Sequence, residues 1–178
     1  MTLGRTLRAA LALSAVMLAG SLAGCQTASD VGGALLGSGA KGAEAPLKSV
    51  RSAVDGSVRF VERGGGVTVL VHLTGLVPGP HRIAIHANGN CSSPNAFSAG
   101  PVWDAPGAGP QVLSIFANSE GTATLTRRIA GLHVEGTDGL VGRSVVVHAG
   151  SQASLDTRPD VPNARIACGV IGSVQTLF

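Results

Sequence analysis

The sequence predicts an all-β domain, an antiparallel barrel or sandwich of eight strands, and three observations carry that expectation. Short apolar stretches recur between Gly-rich turns, and no long helical period interrupts them. In Val67-Thr68-Val69-Leu70-Val71-His72-Leu73-Thr74 the odd positions are apolar and the even ones mostly polar, the mark of a half-buried strand. Composition agrees: 178 residues hold 26 Gly, four Phe, one Trp and no Tyr, so the core is built from Val, Ile, Leu and Ala between glycine turns, which suits a sheet better than helices.

The first 24 residues stand outside that domain. Arg5 and Arg8 precede an apolar run at residues 9–22, and Leu22-Ala23-Gly24 supplies small residues before Cys25, the pattern of an export signal. Leu22-Ala23-Gly24-Cys25 resembles the bacterial lipobox, which implies a lipid on Cys25 and a membrane anchor. Three cysteines leave one over after any disulfide; lipidation of Cys25 accounts for it and leaves Cys91 and Cys168 for an oxidising compartment. Removing residues 1–24 leaves eleven basic against ten acidic residues, a net charge of +1, and so little surplus supports no nucleic-acid partner.

Residues 25–45, the lipid-bearing cysteine and a Gly, Ala and Ser stretch, are expected to form a flexible tether, because such a composition buries too little to offset the entropy of ordering. Gly37-Ser38-Gly39-Ala40-Lys41-Gly42 matches a dinucleotide-binding pattern, but no strand precedes it and no helix follows, so it carries no nucleotide reading. The folded domain is expected at 46–178. Besides the Val67 stretch, strands are read at 48–54, 57–63, 81–87, 111–117, 122–129, 143–148 and 165–171, with turns at Gly64-Gly65-Gly66, Val77-Pro78-Gly79-Pro80 and Asn118-Ser119-Glu120-Gly121. Two long connections, 88–110 and 149–163, are where a site would be built.

Alternation sorts the histidines. His81 shares a face with Ile83 and Ile85, whereas Arg82, Ala84 and His86 share the other. His81 is therefore expected to face inward and to support a site without gripping the same ion as His86. His148 shares its face with Val146. His72, on the polar side of its strand, reads as a solvated residue.

The stretch Gly79, His81, Ala84, His86, Gly89, Cys91, the stretch Gly142, Arg143, Val146, Val147, His148 and the closing Arg165, Ala167, Cys168, Gly169, Val170, Ile171 together resemble the copper/zinc superoxide dismutase family. The resemblance implies an eight-stranded Greek-key β-barrel, neighbouring strands that bring His86 and His148 together, and a disulfide between Cys91 and Cys168. It also implies a role for Arg165 in drawing the superoxide anion toward copper.

The ligand set carries over badly. The family binds copper through four histidines, one bridging to zinc, and completes the zinc site with two more histidines and an aspartate. Here only His86 and His148 stand at copper positions; Ala84 and Val102 replace two ligands, Gln111 stands near the expected aspartate, and no histidine lies between His86 and His133.

The expectation is thus a non-catalytic, superoxide dismutase-like envelope lipoprotein with no bound zinc and no required cofactor. Gln26 after the lipidated cysteine, in place of Asp, points by resemblance to lipoprotein sorting rules to the periplasmic face of the outer membrane. Two alternatives stand beside it: a superoxide dismutase with a copper site reduced to His86 and His148, and a Cu(I)-binding envelope protein. A homodimer is compatible with each. G-x-S-x-G, H-E-x-x-H, P-loop and C-x-x-C motifs are all absent.

Overall fold

Alternation becomes burial along each strand. Val67, Val69, Val71 and Leu73 are 0–4% exposed while His72 and Thr74 face solvent, as a sheet with one wet face requires. The computed structural model describes residues 40–50, 52–150 and 164–175. In chain order its strands are β1 (Lys41–Ser49), β2 (Asp55–Arg63), β3 (Gly66–Thr74), β4 (Gly79–His86), β5 (Asp104–Ala105), β6 (Gly109–Pro110), β7 (Val112–Ala117), β8 (Ala123–Ala130), β9 (Ser144–Ala149), β10 (Arg165–Val170) and β11 (Gly172–Val174). Among the described residues the one helical element is a 3-10 turn at Phe97–Ala99.

The main sheet runs β7-β4-β9-β10-β1-β2-β3-β8, with β11 paired to β1, and its ladders are antiparallel. The two terminal strands of that order, β7 and β8, are consecutive in the chain and joined by a tight turn in which Asn118 N donates to Thr122 O at 2.9 Å. The sheet therefore curls into a nearly closed barrel. Segments 75–78 and 131–143 each cross an end of it, because β3 and β4, like β8 and β9, are not neighbours; that is Greek-key connectivity.

Inside the barrel pack Val58, Phe60, Val69, Leu73, Ile83, Ile85, Val145 and Val147. Phe60, 1% exposed, is a fully buried aromatic side chain of this core, worth about 2–3 kcal/mol by its burial. A second, smaller cluster lies on the outer wall, where Ala96, Ala99, Val146 and Cys168 pack with Val50 and Cys91. It exists because the connection after β4 folds back over β9 and β10.

The beginning of the barrel differs from the sequence expectation. A strand at 48–54 and a tether through residue 45 were expected; β1 instead spans Lys41–Ser49. Ala43, Ala45 and Leu47 alternate into the core at 1%, 0% and 4% exposure, paired with β2 from Lys41↔Glu62 to Leu47↔Gly56. Small side chains concealed the strand: alanine contributes the period of two without the bulk that marks a core segment. β1 thus adds residues 41–45 to the barrel, while Cys25, Gln26 and the leader lie outside the described residues.

Candidate metal centre

β4 and β9 build the site through their pleat. On β4, Ile83 and Ile85 enter the core and Arg82, Ala84 and His86 point to the outer wall; on β9, Val145 and Val147 enter while Val146 and His148 point out. The β4–β9 register pairs His86 with Ser144, Ala84 with Val146 and Arg82 with His148. The two histidines are therefore offset by four residues along the ladder and lean toward each other over the small row of Ala84 and Val146. Their Nε2 atoms meet at 3.4 Å, with the rings stacked at an interplanar angle of 22° and centroids 5.6 Å apart.

The tautomer of His86 follows from its other nitrogen. Nδ1 donates to the Gly100 carbonyl at 2.8 Å, so the neutral ring turns an unprotonated Nε2 toward His148. His86 is 1% exposed, and its pKa is pushed down to about 4, first by desolvation, then by the nearby Arg165 and His148 charges, against the Gly100 bond that raises it.

Arg165 reaches the same wall from β10. Its Nη1 donates to Ala96 O at 2.6 Å and its Nη2 to Gly100 O at 2.9 Å, so one carbonyl, that of Gly100, holds both His86 and Arg165. Gly100 adopts φ 76°, and a Cβ there would fall 2.7 Å from Asn88 Nδ2; only glycine fits this turn without strain. Phe97 stacks below the guanidinium, its centroid 5.2 Å from Cζ. The Cys91 to Cys168 disulfide, with Cα atoms 5.7 Å apart, fastens the carbonyl-bearing loop to β10.

The other sequence-selected residues fall as follows. His81 lies on the far side of β4, with Nε2 2.7 Å from Val77 O and Nδ1 3.3 Å from His148 O. It braces the end of β9 through its backbone and does not touch the paired imidazoles. Val102 forms an isolated bridge with His86, which brings an isopropyl group to the place where the family resemblance expects the bridging histidine. Gln111, 5% exposed, donates from Nε2 to Ala108 O at 3.1 Å and Gly109 O at 2.6 Å. Its amide ties down the turn between β5 and β6. His133 is bonded to Glu62, Nδ1 to Oε1 at 2.9 Å, on the exposed surface.

Two contributors had no assigned role in the sequence reading: the carbonyls of Ala96 and Gly100, and Arg82 beside the histidines. The Gly100-Pro101 pair was the one local signal for the first, and alternation already placed Arg82 on the face of His86.

A copper–zinc pair does not fit this donor set. Among the described residues no group of three or more His, Cys, Asp or Glu side chains gathers to hold a metal ion. His86 and His148 present two nitrogens, next to the methyl of Ala84 and the isopropyl of Val102, while the Gln111 amide is bonded to the turn between β5 and β6. Cu(II) favours tetragonal nitrogen and oxygen sets, of which two imidazoles are half.

Similarity to known proteins fits the fold and sharpens this contrast. A family model described as copper/zinc superoxide dismutase (SODC) matches residues 54–171. Superoxide dismutase [Cu-Zn] 2 of Brassica juncea is 32% identical over 139 residues, covering 67% of this chain and 90% of the relative. The protein of the same name from Mesembryanthemum crystallinum is 31% identical over 136 residues, covering 67% and 87%. With its barrel, its register and its disulfide, the chain belongs to the copper/zinc superoxide dismutase family.

Proposed function

We propose that this chain is a non-catalytic, superoxide dismutase-like module of the cell envelope. One observation supports the reading above others: His86 and His148 converge to 3.4 Å, yet the positions beside them carry Ala84 and Val102, neither of which has a donor atom in its side chain. Dismutation requires a metal that takes an electron from one superoxide and returns it to the next while keeping an open position. Without an imidazole at Val102, the bridge that would couple copper to zinc is also missing.

In this reading Cys25 carries lipid, the segment before β1 is a tether, and Gln26 directs the protein to the periplasmic face of the outer membrane. The barrel then serves as a binding or structural unit, alone or as a homodimer. The deciding experiment loads the purified mature chain with copper and zinc and measures both metal content and dismutation. Substoichiometric metal and no turnover are expected. Stoichiometric copper with near diffusion-limited dismutation overturns the proposal in favour of an enzyme built on His86, His148 and Arg165.

The convergence of two Nε2 atoms favours one second reading, a protein that holds Cu(I) without turnover, since a monovalent soft ion accepts fewer imidazoles than Cu(II). Competition with a Cu(I) chelator separates it from the first: an affinity no tighter than that of free histidine removes it.

A further inference from the structure

Hydrogen bonds do not close the barrel. β7 and β8 end the strand order, and among the described residues no ladder runs between them, although the turn at 118–122 joins the two. Within the described residues the backbone groups of Ala123–Ala130 bond only to β3. The other edge of β8 is therefore unpaired, and an unpaired edge is a template for a further strand.

Alternation gives that edge a pattern. Leu125 and Ile129 pack against the core, and Arg127, midway between them, is the register partner of the buried Val69. All three thus share the inner face, yet Arg127 is exposed, so its guanidinium leaves through the seam between β7 and β8. Its neighbour Arg128 is tied by Nη2 to the carbonyls of Arg63 and Gly64, at 2.9 Å each. Arg127 has no such tie, and the ion pairs among the described residues are Lys41–Glu135, Arg59–Glu44 and His133–Glu62. Behind the seam lies an apolar hollow whose lining includes Phe60, Val69, Leu113 and Ile129.

We propose that the free edge of β8 accepts an extended peptide as an added strand, and that Arg127 selects a peptide with a carboxylate between two apolar residues at alternate positions. The inference rests on the reading of the barrel as a binding unit and names the chemistry of its partner. In such an addition backbone hydrogen bonds supply affinity and alternate side chains supply selectivity. The apolar residues face Leu125 and Ile129, and the carboxylate faces Arg127; opposite charges across a ladder stabilise it and like charges weaken it. The same rule turns away a second copy of this chain. The antiparallel register that sets Leu125 of one copy against Ile129 of another also sets Arg127 against Arg127.

The test titrates the metal-free mature protein, followed by backbone amide NMR, with two capped peptides of alternating valine and threonine, one carrying a central glutamate and the other a central lysine. The glutamate peptide is expected to shift the resonances of residues 123–130 and to bind roughly tenfold more tightly than the lysine peptide. Arg127→Glu should reverse that preference and Arg127→Val should abolish it, with melting curves checking each fold. Should a variant fail to fold, salt decides on the unaltered protein: the preference must shrink as ionic strength rises. Absence of binding, equal affinity for the two peptides, shifts centred away from β8, or a preference unchanged by Arg127→Glu overturns the proposal. Self-association of the unaltered protein through β8, read as concentration-dependent shifts of the same resonances, overturns it too. Stoichiometric copper and superoxide turnover in the unaltered chain would defeat the non-catalytic reading separately and leave the peptide comparison standing.

Discussion

Arg165 and His148 stand directly opposite one another on the outer wall, although alternation along β10 alone assigns Arg165 to the core. Cys168 faces outward with Val146, and Ala167 faces inward with Val147. Counting back by twos from Ala167 would bury Arg165 inside the barrel. The register instead shifts between Arg165 and Ala167: Ile166 is an extra residue that turns into the core beside Ala167. Its carbonyl is held by Val50 N at 2.9 Å. A bulge of this kind re-aims one side chain, and here it delivers the guanidinium to the Gly100 carbonyl that also holds His86.

The buried neutral His86 makes stability depend on pH in a defined window. Its pKa is about 4 in the fold and about 6.5 in the unfolded chain, so between those values the unfolded state binds more protons and stability rises with pH. The contribution is complete above pH ~6.5 and is lost as pH falls toward ~4, amounting to at most about 3 kcal/mol. Urea titrations of the metal-free protein across this range should show the loss, and His86→Gln should flatten it. Arg165→Met removes a charge that lowers the His86 pKa and should narrow the window from its acid side, read as an upward shift of the His86 ring resonances on titration.

Reducing the disulfide should weaken the fold strongly. Cys91 and Cys168 are 77 residues apart, and closing so long a loop stabilises by up to about 4.5 kcal/mol in the chain-entropy account. The Cys91→Ser/Cys168→Ser protein should therefore unfold at much lower urea, with the unaltered protein under reductant falling to the same midpoint. Equal midpoints with and without the bridge would show that the clasp adds nothing.

The position of β1 predicts where the chain can be shortened. A protein starting at Ala40 keeps the pairing of residues 42–44 with both β2 and β11, whereas one starting at Pro46 loses Ala43, Ala45 and both ladders there. The shorter protein should be less stable by roughly 3 kcal/mol or more, given two buried side chains and several backbone hydrogen bonds. Matching denaturation curves for the two would return the boundary to residue 46.

By itself the sequence determined the strands with bulky alternating residues, and through that alternation the faces of His81, His86 and His148, because the side-chain period of two is a local property of extended backbone. It also displayed the missing donors at Ala84 and Val102, which need only a resemblance to locate. It did not reveal β1, where alanines carry the period without hydrophobic weight, nor the task of Gln111, whose partners lie in the turn just before it. Tertiary structure alone decided the rest. Which residues oppose which is set by pairing between distant strands, so the Arg82, His148 and Arg165 row, the bulge at Ile166 and the shared Gly100 carbonyl exist only once β4, β9 and β10 lie side by side.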